Sequence, residues 1–282
     1  MRSVKTALMV LIGIGILVTP ALAQFSIELE QIGRYESGIF DDSAAEIVTY
    51  DHQSKRVFVT NAANDAIDAL DISDPANPRL AFSIDLTPYG SPNSVAVARC
   101  CVLVAVEAAV KQDPGFVVMF DNDGNYINQV TAGALPDMIT VTPNGKYALV
   151  ANEGEPNDDY TVDPEGTVSI IDISKGCGNV TQNDVCTVDF SDFNSGNIDP
   201  TIRIFGPNAT VAQDLEPEYI TVSKNSRIAW VACQENNAMA KIDIKKGEVL
   251  DLYGLGFKNH DLPENPMDAS NKDDAINIAT GR

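Results

Sequence analysis

Six carboxylates crowd one polar stretch of the sequence. Within 13 residues the chain carries Glu153, Glu155, Asp158, Asp159, Asp163 and Glu165. Gly154, Pro156 and Gly166 give the same stretch the turn residues it needs to fold back on itself. Calcium takes about 6 to 8 oxygen ligands in a flexible cage, whereas uncompensated carboxylates repel one another. The stretch therefore predicts a calcium site, with a fully solvated acidic loop as the alternative.

A second polar set recurs along the chain at corresponding positions. Its members are Glu46, Asn93, Asp137 and Glu218, each directly after Ala or Pro at the start of a short strand. In a propeller, the first strand of each blade lies nearest the central channel. The set predicts a channel-rim ring of acidic and amide groups for a cation or a polar ligand. The alternative is ordinary turn chemistry, since Asp and Asn after Pro are common turn residues.

Four copies of one pattern position these residues. Each copy has a strand that opens after Pro or Ala, a second strand led by a basic residue or Cys, and a third that mostly ends in Asp-Ile or Phe-Asp. The openings fall 47, 44 and 81 residues apart. The first two periods match the roughly 40 to 50 residues of propeller blades, and the third contains insertions. The sequence predicts an all-β fold, a β-propeller with four recognisable blades of antiparallel strands.

The predicted propeller domain spans residues 24–282. Its blades cover about 46–86, 93–131, 137–205 and 218–253. Residues 254–282 contain Asp274-Ala275-Ile276-Asn277-Ile278, which is similar to the opening of a further blade. Propellers close with about 4 to 8 blades. We therefore expect an incomplete, open propeller, from a fragment or a shortened gene product, whose open end exposes an apolar face.

Residues 1–23 are predicted to be a signal peptide. Arg2 and Lys5 precede a 12-residue apolar run, and Ala21-Leu22-Ala23 is a cleavage site. No later run is long enough to span a membrane. Loss of Arg2 and Lys5 leaves 17 basic against 40 acidic residues, a net charge of −23. That charge repels nucleic acid and attracts cations, so the expected partners are divalent cations or a mineral surface, and matrix or cell-surface proteins.

Five cysteines remain after cleavage, in a compartment where disulfides form. Cys177 and Cys186 flank a polar loop, and we expect them to be bonded to each other. The neighbours Cys100 and Cys101 point to opposite faces of a strand, so a bond between them would be strained. We expect Cys100, Cys101 and Cys233 to be buried free thiols, and the odd count leaves at least one cysteine unpaired within the chain.

Two Asn-x-Thr sequons, at Asn179 and Asn208, lie in the insertion-rich third repeat. In a eukaryote both are expected to carry glycan. In a bacterium they have no such meaning.

Four stretches resemble the choice-of-anchor I domain. They are residues 33–40, 151–160, 162–166 and 265–270, of which the second reads Ala-Asn-Glu-Gly-Glu-Pro-Asn-Asp-Asp-Tyr. That domain occurs in bacterial surface proteins and in mesenchyme-specific cell surface glycoproteins of animals with calcified skeletons. The resemblance runs from about Ile32 to the end. It implies a secreted or surface-tethered, propeller-like protein, linked in animals to biomineralisation, and supplies no catalytic residues.

Catalysis has weaker support in the sequence than binding. Asp42-Ser43-Ala44-Ala45 is similar to the nucleophile stretch of alkaline phosphatases, but two histidines supply neither a two-zinc cluster nor a Ser/His/Asp set. A calcium-dependent, phytase-like phosphoesterase is the alternative, and it needs Lys or Arg beside the carboxylates. Near the acidic stretch stand only Lys146 and Lys175. We therefore expect a secreted or cell-surface acidic glycoprotein that binds calcium and does not catalyse.

Overall fold

The computed structural model describes residues 27–99, 101–262 and 264–267. The chain divides into a short unit, Met1–Ile32, and a main unit, Gly33–Arg282. All strands and helices in the described ranges belong to the main unit. The predicted signal peptide, Cys100 and the stretch 274–278 lie outside the described residues. Across those ranges, no helix has the length and apolar character needed to cross a membrane.

The described residues form four antiparallel sheets, each a meander of four consecutive strands. Sheet 1 contains β1 Val48–Asp51, β2 Arg56–Asn61, β3 Ala66–Asp71 and β4 Arg79–Asp85. Sheet 2 contains β5 Pro92–Ala98, β6 Cys101–Val106, β7 Pro114–Asp121 and β8 Tyr126–Ala134. Sheet 3 contains β9 Pro136–Val141, β10 Tyr147–Asn152, β11 Thr167–Asp172 and β12 Val185–Val188. Sheet 4 contains β13 Tyr219–Val222, β14 Ile228–Cys233, β15 Ala238–Asp243 and β16 Glu248–Gly254. The prediction of an all-β propeller with four antiparallel blades is confirmed.

Helical structure in the described residues is limited to single turns. They are α1 Val211–Asp214 and the 3-10 turns Ala62–Asn64, Cys177–Asn179, Gln182–Asp184 and Ser191–Phe193. Four of the five belong to the insertions between β11 and β13. These insertions, together with the long connection between β10 and β11, account for the long third period of the sequence repeat.

Alternation of side chains along each strand explains the sheets and the cores between them. In β10, Leu149 packs into the core shared with sheet 4, whereas Val150 packs into the core shared with sheet 2. We call the face of a sheet toward the next sheet its forward face, and the other its backward face. Successive side chains of a strand point to opposite faces, so a sheet between two neighbours needs apolar residues at nearly every position. The three cores join sheets 1 and 2, 2 and 3, and 3 and 4.

Asp, Asn and Gly residues form the hairpin turn between β7 and β8. Between β7 and β8, the carboxylate of Asp121 accepts hydrogen bonds from the N–H groups of Asp123 and Asn125 at 2.9 and 2.8 Å. Gly124 has a φ of +85°, which glycine adopts without strain. This segment is a hairpin turn, as its Asp/Asn/Gly composition predicts.

The predicted bond between Cys177 and Cys186 is wrong. Cys177 is bonded to Cys101 of β6, with their Cα atoms 6.6 Å apart, and Cys186 is a free, exposed thiol. The reason is strand alternation: Cys186 pairs with Ile170 in β11 and its sulfur points to Gly247 of sheet 4. Cys177 instead faces the core between sheets 2 and 3, where Cys101 lies. The expectation for Cys101 is therefore also wrong, whereas Cys233 is buried and free as predicted.

Candidate functional site

The four residues of the predicted ring lie at one end of the first strands. In each sheet a Val or Ile of the first strand pairs with a Val of the second, and two positions earlier stand Glu46, Asn93, Asp137 and Glu218. The first strands of neighbouring sheets contact one another. Asn93 joins two blades here, since its side-chain amide donates to the Pro136 carbonyl at 3.1 Å and to Glu107 Oε2 at 3.4 Å.

Further carboxylates that the sequence analysis did not connect with the ring adjoin it. Glu107 and Glu153 follow the second strands of sheets 2 and 3, Glu235 follows that of sheet 4, and Glu216 precedes β13. The repeat phase that identified the ring, applied to the ends of the second strands, would have pointed to Glu107 and Glu153. We call the following eight residues the rim carboxylates: Glu46, Glu107, Asp137, Glu153, Glu155, Glu216, Glu218 and Glu235.

Burial and mutual repulsion hold protons on several rim carboxylates. Burial, and then the charges of Asp137 and Glu155, raise the pKa of Glu153 to about 8. Burial, and then Glu235 and Glu155, raise the pKa of Glu216 to about 7. The pKa of Asp137 rises to about 6, because it is buried and faces Glu46. Each carboxylate thus lies in the field of others, across sheets 1 to 4.

Glu218 and Glu235 form a pair within the rim. Burial and a hydrogen bond to Glu235 raise the pKa of Glu218, and the same bond lowers the pKa of Glu235. One proton between the two carboxyl groups explains the opposite shifts. Glu235 Oε2 is buried and has no hydrogen-bond partner among the described residues. A buried carboxylate oxygen without a partner costs free energy, so this pair lies in an unfavourable environment.

The buried side-chain amide of Asn236 holds the backbone segment that carries Glu216. The side-chain oxygen of Asn236 accepts a hydrogen bond from the N–H of Glu216 at 2.9 Å, and its amide nitrogen donates to the carbonyls of Arg203 and Asp214. Asn236 is fully buried. This side chain therefore ties the insertion that precedes sheet 4 to the end of β14.

Backbone contacts at its two ends close the acidic stretch into a loop. The N–H of Glu153 donates to the carbonyl of Leu135 at 2.9 Å, and the N–H of Gly166 donates to that of Ala212 at 3.1 Å. Gly154 has a φ of +72°, and a Cβ atom there would lie 2.7 Å from the Gly166 nitrogen. Only glycine fits this position, because both the conformation and the close approach exclude a side chain.

The loop does not gather its six carboxylates into one cage. Glu153 and Glu155 belong to the rim, and Lys111 lies 3.9 Å from Glu155. The Asp159 carboxylate accepts from the Thr161 side chain and N–H, which lowers its pKa and holds a turn. Burial and the charge of Asp214 raise the pKa of Asp163.

The other two carboxylates of the loop, those of Asp158 and Glu165, are both exposed to solvent. In the ranges that the structure describes, no three His, Cys, Asp or Glu side chains are grouped closely enough to hold a metal ion as they stand. The predicted single calcium cage is thus divided between the rim and the solvent.

Both predicted glycosylation sequons lie at the surface. The amide nitrogen of Asn179 donates to the Lys175 carbonyl at 2.9 Å, and the Thr181 hydroxyl donates to Asp184 at 2.8 Å. Asn208 is exposed at a backbone φ of +63°. The side chain of Asn179 is thus held by a hydrogen bond to the backbone of its own turn.

Comparison with known sequences gives one family match. The sequence model of the choice-of-anchor I domain matches residues 46–281. This range includes all four sheets and the rim carboxylates. No protein of curated function matches the chain.

Solved structures resemble the chain at low sequence identity. They include hydrazine synthase of Kuenenia stuttgartiensis, at 16% identity and a TM-score of 0.50, covering 71% of this chain and 52% of that chain. A putative 6-phosphogluconolactonase from Bacteroides uniformis is 15% identical with a TM-score of 0.49, covering 71% of this chain and 50% of that one. The β-propeller domain of Cps50 from Myceliophteria thermophila is 11% identical with a TM-score of 0.48, covering 77% and 59%. The chain thus spans about half the length of these structures, and the likeness concerns the fold alone.

Proposed function

The chain belongs to the choice-of-anchor I domain family, and on that premise we propose that it is a secreted or cell-surface binding module whose rim carboxylates hold cations. The cation of the proposal is calcium, and the site lies where the four first strands meet. The protein acts by binding rather than by catalysis.

One observation carries this proposal: the rim concentrates partly buried carboxyl groups without a matching number of basic side chains. Glu153 and Glu216 have pKa values raised to about 8 and about 7, and burial and other carboxylates are the causes in both cases. The partnerless Oε2 of Glu235 lies in the same group. A divalent cation would replace the shared protons and screen the repulsion.

The chemistry of the rim suits low-affinity binding of calcium. Calcium accepts carboxylate oxygens in irregular arrangements and completes its shell with water. Because no three ligands are grouped in advance among the described residues, side chains must move to bind the ion. Sites of extracellular modules bind calcium with dissociation constants on the order of 0.1 to 1 mM, which fits this requirement.

The finer parts of the proposal concern location and partners. A predicted signal peptide, two surface sequons and an excess of 40 acidic over 19 basic residues support a secreted acidic glycoprotein. An acidic surface that binds calcium is also suited to contact a calcium mineral or a matrix protein. Association with a mineralising matrix therefore belongs to the proposal.

The phosphoesterase alternative has little support at the rim. A phosphate group would need Lys or Arg donors beside the carboxylates. The basic side chains that act there are Lys111, which pairs with Glu155, and Arg203, whose charge lowers the pKa of Glu235. Each of these two bases is offset by the carboxylate beside it, and the eight rim carboxylates outnumber them, so the rim favours a cation over an anion.

Calorimetric titration with calcium chloride tests the proposal. The wild-type chain should bind calcium, and the double variant Asp137→Asn, Glu153→Gln should lose most of the binding heat. The matched control is Asp71→Asn, Asp85→Asn, which removes the same number of carboxyl groups from two exposed strand ends of sheet 1. Equal loss in both double variants would show a nonspecific effect of net charge and would refute the rim site.

A further inference from the structure

Basic side chains recur at the end of the sheets that lies opposite the rim. Each first strand runs from the rim to a hairpin turn, from which the second strand returns. These turns comprise residues 51–56, 99–101, 142–146 and 223–227, and they hold one carboxylate, that of Asp51. Their basic residues are Lys55 and Arg56 in sheet 1, Arg99 in sheet 2, Lys146 in sheet 3, and Lys224 and Arg227 in sheet 4.

Contacts between blades bring three of these turns together. The N–H of Asn144 donates to the Ser226 hydroxyl at 3.1 Å, which joins the turns of sheets 3 and 4. The Nε of Arg99 lies 3.7 Å from the position that a Cβ atom of Gly145 would take. The guanidinium of sheet 2 therefore lies beside the turn of sheet 3. We call the basic residues of these three turns the basic patch: Arg99, Lys146, Lys224 and Arg227.

The side chains of the basic patch are available to a ligand. All four residues are exposed. Within the described ranges none of their side chains forms an ion pair, whereas Arg56 of sheet 1 is paired with Asp123. The carboxylates at the ends of the adjoining third strands, Asp172 and Asp243, accept N–H groups of their own turns at 2.9 and 3.0 Å.

The length of the first strands separates the basic patch from the rim. Strand β9 has six residues, and a strand rises about 3.3 Å per residue, so the two ends are about 20 Å apart. The Debye length is about 8 Å at physiological salt. The carboxylates of the rim are therefore largely screened from an anion at the basic patch, despite the net charge of −21.

We propose that the basic patch binds a sulfated polysaccharide. Sulfate esters are ionised at neutral pH, and Lys and Arg side chains bind such oxyanions, Arg through two parallel hydrogen bonds. Four basic side chains on three separate turns suit charges that repeat along a chain better than a single small ion. The choice of a polysaccharide over a nucleic acid rests on the secreted location in the proposed function. The calcium site of the rim takes no part in this binding.

Surface plasmon resonance on immobilised heparin tests the proposal. The chain without its predicted signal peptide is measured at 0.15 M salt with chelator, so that calcium cannot link the rim to the sulfates. The wild type should bind, and Lys146→Gln, Lys224→Gln should raise the dissociation constant by about fivefold or more. The variant should also show a weaker dependence of binding on salt, because fewer counterions are released.

The matched control is Lys175→Gln, Lys258→Gln, which removes two exposed lysines outside the basic patch. It should change the dissociation constant by less than about twofold, since an exposed lysine away from the ligand adds little. The rim variant Asp137→Asn, Glu153→Gln should bind heparin at least as tightly as the wild type does. A failure of the calcium site is thus distinguishable from a failure of the basic patch.

Four results would overturn the proposal. The first is a wild type that does not bind heparin, and the second is an equal loss of affinity in the two lysine variants. The third is equal binding of heparin from which the sulfate groups have been removed. The fourth is a DNA duplex that binds as tightly as heparin, which would show attraction to any polyanion.

Discussion

Cys101 and Cys177 are joined by a disulfide that spans 76 residues of sequence and ties the insertion of sheet 3 to β6 of sheet 2. Both residues are buried in the core between those sheets. The bond is thus a clamp between two blades, and not the closure of a local loop.

The disulfide predicts that substitution of Cys177 lowers the free energy of unfolding strongly and that substitution of Cys186 hardly changes it. Cys177→Ser should lower the free energy of unfolding by about 4 kcal/mol, since the bond restrains a long loop in the unfolded chain. Cys186→Ser should change it by less than about 0.5 kcal/mol, because Cys186 is exposed and unbonded. Urea unfolding of the two variants measures both values. Peptide mapping without reduction should recover Cys101 linked to Cys177, and a Cys177 to Cys186 link would contradict the structure.

The buried amide of Asn236 should contribute more to the free energy of unfolding than an exposed amide does. Asn236→Ala leaves the N–H of Glu216 and the carbonyls of Arg203 and Asp214 without this partner. We expect a loss of about 1 to 3 kcal/mol in the free energy of unfolding. Asn197→Ala, at an exposed position of the insertion that precedes sheet 4, is the control and should be nearly neutral. Equal effects of the two substitutions would show that the hydrogen bonds of Asn236 are not important.

The fold could be predicted from the sequence because each blade repeats the same physical pattern. The sheets were predictable from the period-two alternation and from turn residues such as Asp121 and Gly124. The constant position of Glu46, Asn93, Asp137 and Glu218 within the repeat predicted that they lie at the same end of the first strands. The disulfide could not be predicted, because the face to which Cys186 points depends on the exact register of β12 against β11. Closeness in sequence favoured the wrong partner for Cys177.

The site could be predicted only in part for a similar reason. The density of acidic residues drew attention to the whole loop from Glu153 to Glu165. In the structure the backbone ties at Glu153 and Gly166 turn only the first part of that loop toward the rim. Glu235 and Glu216 come from another blade, and their meeting with Glu153 depends on how the blades pack.

Stability should fall as the pH rises through the neutral range in the presence of a chelator. The folded-state pKa values of Glu153 and Glu216 are raised to about 8 and about 7, whereas an unfolded Glu titrates near about 4.3. Between these values the folded state binds more protons than the unfolded state, so their contribution is lost as the pH rises. The melting temperature should therefore decrease from about pH 5 to about pH 8.

Glu153→Gln should reduce this pH dependence, because Gln does not ionise. Asp85→Asn should leave it unchanged above pH 5, since the Thr87 hydroxyl and N–H lower the pKa of Asp85. A melting temperature that rises across the window would show that the rim carboxylates are not strained by burial. Differential scanning calorimetry at several pH values makes the comparison.

The most direct test of the central claim, that the rim binds calcium, is the change in melting temperature when calcium replaces chelator at pH 8. A ligand that binds only the folded state adds about 2.7 kcal/mol at one hundred times its dissociation constant. The wild-type melting temperature should rise with the logarithm of calcium concentration, and Asp137→Asn, Glu153→Gln should abolish most of that rise. Asp158→Asn, Asp159→Asn should preserve it, since these residues lie outside the rim. A wild type that does not respond to calcium, or a rim variant that responds as strongly as the wild type, would contradict the account.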